Sequence, residues 1–325
     1  MPYPALGPFT STLLSDPDVL LGFLSQLTAL SPSALETLAF CEGSQSYRCA
    51  TIPKKAGGKR KISIPTDALA IVQIALAKAF VRTLPIHPAA HGYASSRSIF
   101  TFVAPHAASR YLLQLDIHDF FKHVTPAHVV QTLAAGGADS ESLQLLVGWC
   151  FERGVAPAYA PSRQRLWLPQ GATTSPALSN VGAFALDEKL STLAEAKGGI
   201  YTRYVDDLAL SLPFHLGRTA GRRLLAEIIG VLGSCGFAPR RDKVYGGPLA
   251  PTESWWQQLH RPPLVGLILG SNGNVSAARS LRRRLRAALH HQETGRYEPY
   301  TWDATQVEGV QRFLDRIARA FPKNP

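Results

Sequence analysis

The sequence predicts a folded α+β protein, and three observations support that class. The 325-residue chain is 46% hydrophobic and only 18% charged, which is typical of a globular protein with a large core. Short β-prone runs alternate with longer segments in which apolar residues recur every three to four positions. The third observation is an Asp206-Asp207 pair between two apolar runs, a pattern that predicts a tight antiparallel hairpin between buried strands. The length allows two or three subdomains.

Charge and cysteine content narrow the classes of function. Lys and Arg number 34 against 23 Asp and Glu, and the net charge of +11 suits a polyanionic partner, nucleic acid before an anionic membrane. No two of the four cysteines (Cys41, Cys49, Cys150, Cys235) have the spacing of a metal-ligand pair, so reduced, mostly buried thiols rather than a zinc site are expected. With no leader-like N-terminus and no run of about 18 apolar residues, a cytoplasmic protein without a membrane partner is expected.

The N-terminal part is predicted to contain two helices and a strand pair. Asp16-Pro17 and Ser31-Pro32 each place a proline at the first helical position, so residues 1–40 are expected to form a helical cap. The strands are residues 47–53 and 61–64, with a turn at Gly57-Gly58 between them. A core helix is predicted to begin at Asp67.

The turn between these two strands is strongly basic. Five of the eight residues from 54 to 61 are cationic, and Lys54, Lys55, Arg60 and Lys61 are the candidates for ligand contact. Two interpretations remain open at this point. The segment is either a solvated hairpin or a mobile hairpin that folds over a triphosphate or a phosphate backbone.

A candidate catalytic strand follows after residue 110. Leu113, Leu115 and Ile117 alternate with polar residues, which places Asp116 on the polar face of a strand, near its end. A lone Asp there is normally solvated, and only a second acidic segment makes it a candidate. Asp119-Phe120-Phe121 is predicted to be a turn whose rings are core by default. Residues 126–153 are predicted to be mostly helical, with a break near Gly136-Gly137.

The second half of the chain carries the other candidate segments. Pro169-Gln170-Gly171 is predicted to be a turn that leads to a helix capped by Ser175, with Pro176 at its first position, running to about Ala196. Further expected elements are a helix over residues 218–232, a turn at 235–237, a strand beginning at 243, and a strand pair over 262–274 that turns at Asn272-Gly273.

The last 50 residues are predicted to be helical and basic. Five arginines fall within residues 279–286, and this density favours binding to a phosphate backbone over a merely solvated helix. The candidate nucleic-acid contacts are Arg279, Arg282, Arg283 and Arg286.

The Asp206-Asp207 pair is the most informative feature. Asp-Asp pairs most often lie in solvated turns, but here apolar runs flank the pair. Adjacent carboxylates repel, and their burial is costly, so a partly buried pair implies a cation. Two-metal phosphoryl-transfer sites hold ions about 3.5–4 Å apart with carboxylates from more than one segment. Asp116 is the candidate for the second segment.

Taken in order, these segments resemble reverse transcriptases, most closely the bacterial retron type. The resemblance covers roughly residues 47–290. It is carried by Leu115-Asp116-Ile117 with Phe120-Phe121, Pro169-Gln170-Gly171, Ser175-Pro176 with Leu178-Ser179-Asn180, and Tyr204-Val205-Asp206-Asp207. Supporting matches are Ile52-Pro53-Lys54-Lys55 through Gly58-Lys59-Arg60, His91-Gly92-Tyr93, and Gly236-Phe237 with Lys243.

The resemblance implies a right-hand polymerase whose antiparallel palm sheet carries the catalytic carboxylates. The expected division is an N-terminal helical cap (1–40), fingers (41–110), the first part of the palm (111–125), a helical insertion of the fingers or palm (126–165), the second part of the palm (166–250), and a basic helical thumb (251–325). This C-terminal segment is expected to leave no room for a fused RNase H, maturase or endonuclease domain.

The resemblance also implies roles for individual residues. Asp116, Asp206 and Asp207 would hold two Mg²⁺ ions, with Mn²⁺ as the alternative, and the backbone carbonyl of Ile117 would be an extra ligand. Phe121 would lie beneath the sugar and exclude a 2′-hydroxyl. Other expected nucleotide contacts are Gln170 in the pocket, Lys54, Lys55, Arg60 and Lys61 at the triphosphate, and Lys243 near the pyrophosphate.

The function implied is RNA-directed DNA synthesis on a dedicated structured noncoding RNA. Its partners would be that RNA as template and primer, its DNA product, deoxynucleoside triphosphates, and a toxin or effector protein of an anti-phage system. The chain departs from the retron pattern at Val205, usually Ala, and at Phe102-Val103-Ala104-Pro105-His106, which keeps only the final His of Asn-Ala-x-x-His. Leu264-Val265-Gly266-Leu267 replaces Val-Thr-Gly-Leu.

Three alternatives stay open from the sequence. The first is another bacterial defence or diversity-generating reverse transcriptase. The second is a catalytically idle RNA-binding scaffold of the same fold, against which the three acids, Gln170 and Phe121 argue. The third is a metal-dependent nuclease, which would leave the basic elements on both sides of the acids unexplained.

Overall fold

The computed structural model of the chain describes residues 13–40, 46–53, 58–155, 164–248, 264–270, 274–294 and 302–322. Several residues singled out in the sequence lie outside the described residues: Cys41, Lys54, Lys55, Gly57 and the predicted turn at Asn272-Gly273.

The described elements confirm the α+β class. The helices are α1 (Pro17–Thr28), α2 (Pro32–Phe40), α3 (Asp67–Thr83), α4 (Ile99–Val103), α5 (Phe120–His123), α6 (Pro126–Ala135), α7 (Ser140–Cys150), α8 (Ser175–Gly182), α9 (Phe184–Ala196), α10 (Arg218–Ser234), α11 (Arg279–Thr294) and α12 (Ala304–Ala320). The strands are β1 (Tyr47–Pro53), β2 (Lys59–Pro65), β3 (Tyr111–Asp116), β4 (Glu152–Val155), β5 (Gln164–Trp167), β6 (Ile200–Tyr204), β7 (Asp207–Leu212), β8 (Tyr245–Pro248), β9 (Leu267–Leu269) and β10 (Val275–Ala277).

These elements are divided between two compact units. The first unit comprises Met1–Ser96, His118–Lys189 and Leu232–Phe237, and the second comprises Arg97–Ile117, Leu190–Val231 and Ala238–Pro325. The first contains the antiparallel pairs β1–β2 and β4–β5 among helices. The second contains the four-stranded sheet, the β9–β10 pair and the two C-terminal helices.

The first unit follows the sequence signals closely. The Asp16 carboxylate accepts a hydrogen bond from the amide of Asp18 at 2.8 Å, which caps α1 at the predicted position. β1 and β2 pair antiparallel with Pro53 opposite Lys59, so the predicted hairpin is confirmed. The break predicted near Gly136-Gly137 separates α6 from α7.

Three local predictions in the chain were wrong. The helix expected from Ser175 to about Ala196 is two helices that meet at Ala183. Next to that junction, a side chain at Gly182 would meet Val124 Cγ1 at 2.5 Å, so close packing fixes the chain path there. Phe121 lies in the short helix α5 rather than in a turn. The strand expected from residue 243 begins at Tyr245, after a 3₁₀ turn at Arg241–Lys243.

The second unit is built on a four-stranded antiparallel sheet in the order β6-β7-β3-β8. One face of this sheet packs against Phe102 of α4, the β9–β10 pair and Ile317 of α12. Both faces of β3 are covered, so Asp116, near the end of this strand as predicted, is not solvated as a lone Asp there normally would be. Asp116 is only 4% exposed, and Gln114 is 8% exposed.

Two sequence expectations about composition can be compared with the described residues. Cys49, Cys150 and Cys235 are free thiols, but only Cys150 is buried, so the expectation of mostly buried thiols was wrong for the described cysteines. Among the described helices, none is both long enough and apolar enough to span a lipid bilayer.

Candidate active site

The predicted Asp-Asp hairpin is confirmed, and its turn has an unusual backbone. Tyr204 at the end of β6 pairs with Asp207 at the start of β7, which leaves Val205 and Asp206 as the two turn residues. Val205 has a φ of 60°, a left-handed conformation that β-branched residues rarely adopt. The guanidinium of Arg203, which is fully buried, donates from Nη1 to the Val205 carbonyl at 3.1 Å. This hydrogen bond ties the turn to the Arg203 side chain of β6.

The third acid lies on the strand next to this hairpin. Asp116 at the end of β3 is directly opposite Asp207 in the antiparallel register. The amide of Ile117 donates to the Asp206 carbonyl at 2.8 Å, and the amide of Arg240 donates to the Asp116 carbonyl at 2.7 Å. Backbone pairing thus brings the three predicted acids to one end of the sheet.

One lysine partly offsets the negative charge of these acids. The Lys243 ammonium forms an ion pair with the Asp116 carboxylate. Burial raises the pKa of Asp207 to about 7, with further increases from Asp206 and Asp116 and an opposing effect from Lys243. The pKa of Lys243 is raised although burial opposes the charged form, because the hydrogen bond and charge of Asp116 outweigh burial.

The chemistry of these donors fits a divalent cation. Three carboxylates lie at one end of the sheet, and carboxylate oxygen is the donor that Mg²⁺ and Mn²⁺ prefer. Among the described residues, no three His, Cys, Asp or Glu side chains are grouped as a ready-made ligand set. Lys243 instead takes the position of a counter-charge on Asp116.

Phe121, the residue predicted to lie beneath the sugar, belongs to a cluster of aromatic side chains in the first unit. Phe121 on α5 is partly buried, and its ring centroid lies 5.6 Å from that of Phe120. Phe120 in turn lies 5.9 Å from Phe237, whose ring stacks on His128 at 5.2 Å. These contacts restrain Phe121 from one side.

Gln170 is fixed against the basic hairpin of the same unit. The backbone carbonyl of Gln170 accepts a hydrogen bond from the backbone amide of Ser63 at 2.8 Å, and this bond joins the turn to β2. Gly171 has a φ of 123°, and a side chain there would meet Ile62 Cγ2 at 2.6 Å, so only glycine allows this close approach. Arg60 and Lys61 on β2 are exposed. The structure therefore brings Gln170 together with the strand that carries these two cations.

The arginines of α11 lie on its exposed faces. Leu285 and Ala288 bury the apolar stripe of α11 against α12, which leaves the charged positions in solvent. The guanidinium of Arg284 lies 4.6 Å from the Trp302 ring centroid. The four predicted contacts, all exposed, are Arg279, Arg282, Arg283 and Arg286.

Two residues next to the hairpin were not predicted from the sequence. Arg203 supports the turn, and the available signal was a charged residue within an otherwise buried strand, which in folded proteins normally has a specific partner. His106 is fully buried and contacts both strands of the hairpin. Its only signal was its place in a partial motif.

Comparisons with known proteins agree with this geometry. Residues 52–244, more than half of the chain, match the family described as reverse transcriptase (RNA-dependent DNA polymerase). The chain is 32% identical over 313 residues to the retron Mx162 reverse transcriptase of Myxococcus xanthus. The aligned region covers 90% of this chain and 62% of that protein. It is 27% identical over 304 residues to the retron Ec86 reverse transcriptase of Escherichia coli, covering 93% and 84%.

A solved structure supports the fold. Telomerase from Candida albicans, solved in complex with a fragment of telomeric RNA, has a TM-score of 0.50 and 11% identity, covering 93% of this chain and 58% of that one. The predicted right-hand polymerase fold is thereby confirmed. The chain spans only 62% of the length of two Myxococcus xanthus relatives, the retron Mx162 and Mx65 enzymes. With three acids at one end of the sheet and a family match across both units, the chain belongs to the reverse transcriptase (RNA-dependent DNA polymerase) family.

Proposed function

We propose that the chain is an RNA-directed DNA polymerase that copies a dedicated structured noncoding RNA into DNA. The observation that carries this proposal is the pairing of Asp116 with Asp207 next to the Asp206 turn, in a chain that matches the reverse transcriptase family. Two-metal nucleotidyl transfer sites typically draw their carboxylates from more than one segment, as here. Burial, and after it the charges of Asp206 and Asp116, raises the pKa of Asp207, and a bound cation would favour the ionised carboxylate.

The three acids are proposed to bind two Mg²⁺ ions, together with the Ile117 carbonyl. Bound ions would favour deprotonation of the primer 3′-hydroxyl and neutralise charge on the triphosphate and the leaving pyrophosphate. The protein's own contribution is position, because backbone hydrogen bonds hold Asp116 and Asp206 next to each other. Lys243 supplies a positive charge beside Asp116 and is proposed to bind the pyrophosphate.

The nucleotide and the nucleic acid are proposed to contact the other predicted residues. Phe121 is the proposed barrier to a ribose 2′-hydroxyl, and Gln170 is proposed to shape the nucleotide pocket. The cations of the β1–β2 hairpin (Lys54, Lys55, Arg60, Lys61) are proposed to meet the triphosphate. The exposed arginines of α11 are proposed to bind the phosphate backbone of the template–product duplex (Arg279, Arg282, Arg283, Arg286).

The RNA template and the biological role are proposed from the relatives. Several similar proteins are named retron reverse transcriptases, which favours a dedicated RNA that serves as template and primer. A role in anti-phage defence with a toxin or effector protein, in the cytoplasm, is proposed on the family resemblance alone.

Primer extension tests the polymerase proposal. Purified protein with Mg²⁺, a primed RNA template and deoxynucleotides should extend the primer, and Asp206→Asn should abolish extension. Asp315→Asn, which changes an exposed carboxylate on α12, is the matched control and should extend normally. If wild type and Asp206→Asn are equally inert with Mg²⁺ and Mn²⁺ on several templates, the chain is a scaffold rather than an enzyme.

Sequencing the nucleic acid that co-purifies with the protein tests the template. DNA joined to a single structured RNA species would support the retron-type assignment. A broad mixture of cellular RNA without attached DNA would contradict it.

A further inference from the structure

His106 lies at the centre of a buried polar network that joins both strands of the Asp-Asp hairpin. It follows α4, and none of its side chain is exposed. Nδ1 lies 2.6 Å from Ser211 Oγ on β7, and Nε2 lies 2.7 Å from Thr202 Oγ1 on β6. The network continues from Ser211 to Ser109 and from Thr202 to the carbonyl of Phe102.

The partners determine which ring nitrogen carries the proton. The Thr202 hydroxyl donates its hydrogen to the Phe102 carbonyl at 3.1 Å, so its oxygen must accept from His106 Nε2–H. The Ser109 hydroxyl donates to Ser211 Oγ at 2.8 Å, which leaves the Ser211 hydrogen for His106 Nδ1. Each donor then meets one acceptor, and His106 is neutral with its proton on Nε2.

This network acts on the sheet face that carries the acids. Side chains alternate along a strand, so Asp207, Ala209 and Ser211 share one face, and the register places Thr202 and Tyr204 on that face too. Ser211 is four residues, or about 13 Å, from Asp207 along β7. Closer to the turn, the Phe102 ring lies 5.9 Å from the ring of Tyr204, the residue paired with Asp207.

The α4–His106 segment therefore holds the hairpin at three points: Thr202 and Tyr204 on β6, and Ser211 on β7. Strand β6 is at the edge of the sheet and pairs only with β7, and a turn with a left-handed Val205 is strained. A fully satisfied buried network restrains such an element more than its separate bonds would suggest.

We propose that His106, as the neutral Nε2–H tautomer, is a positioning residue that fixes the hairpin strands and thereby the spacing of Asp206 and Asp207 from Asp116. The inference rests on the proposed role of these acids as the cation site. His106 itself touches neither nucleotide nor ion.

Nitrogen NMR of the full chain with ¹⁵N-labelled histidine tests the tautomer. The His106 resonances are assigned by their loss in His106→Gln. At neutral pH, Nε2 should carry the proton and Nδ1 should be an unprotonated acceptor. A proton on Nδ1, or a charged ring, would overturn the proposed network.

Thermal stabilisation by Mg²⁺ alone tests the positioning role without any DNA synthesis. His106→Leu removes both hydrogen bonds and should raise the Mg²⁺ concentration for half-maximal stabilisation by about fivefold or more, because the acids lose their fixed spacing. His106→Gln keeps one donor and one acceptor and should recover much of this loss. His87→Leu is the matched control, because His87 is a fully buried histidine of the other unit, and its midpoint should equal that of wild type.

Milder variants keep the test decisive if His106→Leu does not fold. Thr202→Val and Ser211→Ala each remove one hydroxyl, and each should raise the Mg²⁺ midpoint about two- to threefold. Unchanged midpoints in every folded variant would overturn the positioning role. If the Mg²⁺ midpoints of the variants shift but the wild-type protein makes no DNA, the positioning role is supported and the proposed polymerase activity is contradicted. The two proposals can therefore fail separately.

Discussion

The ammonium of Lys243 forms an ion pair with the carboxylate of Asp116, the acid directly opposite Asp207 on the neighbouring strand. A cation therefore already stands at the site where a metal ion is proposed to bind. Because like charges repel, Lys243 and Mg²⁺ compete for the same carboxylate.

Lys243→Met should strengthen Mg²⁺ binding and weaken catalysis at the same time. Loss of the competing ammonium should lower the Mg²⁺ concentration for half-maximal thermal stabilisation by about fivefold or more. Primer extension should fall at least about tenfold, because the proposed pyrophosphate contact is gone. Lys197→Met, at an exposed lysine paired with Glu227, is the control. Weaker Mg²⁺ binding in Lys243→Met would contradict the competition.

Stability of the metal-free protein should depend on pH through Asp207. Its pKa rises from 3.8 to about 7 in the folded protein, so folding takes up a proton between these values. The stabilising contribution is fully present below about pH 4 and is lost as the pH rises through about 7. We expect wild type to lose up to about 4 kcal/mol relative to Asp207→Asn over this range. Urea unfolding with a chelator measures the difference, and parallel pH profiles would contradict it.

Phe121→Ala should relax the choice of sugar. A ring beneath the sugar would clash with a 2′-hydroxyl, so its removal should raise the relative kcat/KM for ribonucleotides by about 10- to 100-fold. Phe214→Ala removes an exposed ring elsewhere and should leave selection unchanged. Competition between ribo- and deoxynucleotides on one primed template provides the measurement. If the Phe121→Ala enzyme discriminates like wild type, Phe121 is not the barrier.

Val205→Gly should stabilise the metal-free protein by about 1 kcal/mol. A φ of 60° strains a β-branched residue, and glycine adopts it freely, although glycine also increases the entropy of the unfolded chain. Ala209→Gly, at an ordinary strand position of β7, should instead be destabilising by about 1 kcal/mol. Denaturant unfolding of the two variants compares them, and equal losses of stability would show that the turn is not strained.

The local signals in the sequence predicted most of the elements that position the site. The hairpin was predictable because Asp206-Asp207 interrupts two apolar runs, and the starts of α1 and α2 were predictable because prolines mark first helical turns. The resemblance supplied the residues that the carboxylate chemistry alone could not select, including Gln170 and Phe121.

What could not be predicted depends on residues far apart in the chain. The alternation along its strand placed Asp116 near the strand end, but alternation cannot show that segments from residues 102 and 317 cover the second face of the sheet. The His106 network joins residues 105 and 96 positions apart, and no local pattern encodes such contacts. The Lys243–Asp116 pair spans 127 positions and was likewise outside local reasoning.

We propose that Asp116, Asp206 and Asp207 form the catalytic centre of an RNA-directed DNA polymerase. The most direct measurement is the single-turnover rate of one deoxynucleotide addition to a primed RNA template at saturating Mg²⁺, with primer–template affinity measured separately. Asp207→Asn should bind primer–template like wild type but add the nucleotide about 10³-fold or more slowly. A rate within a few-fold of wild type in Asp207→Asn would contradict it.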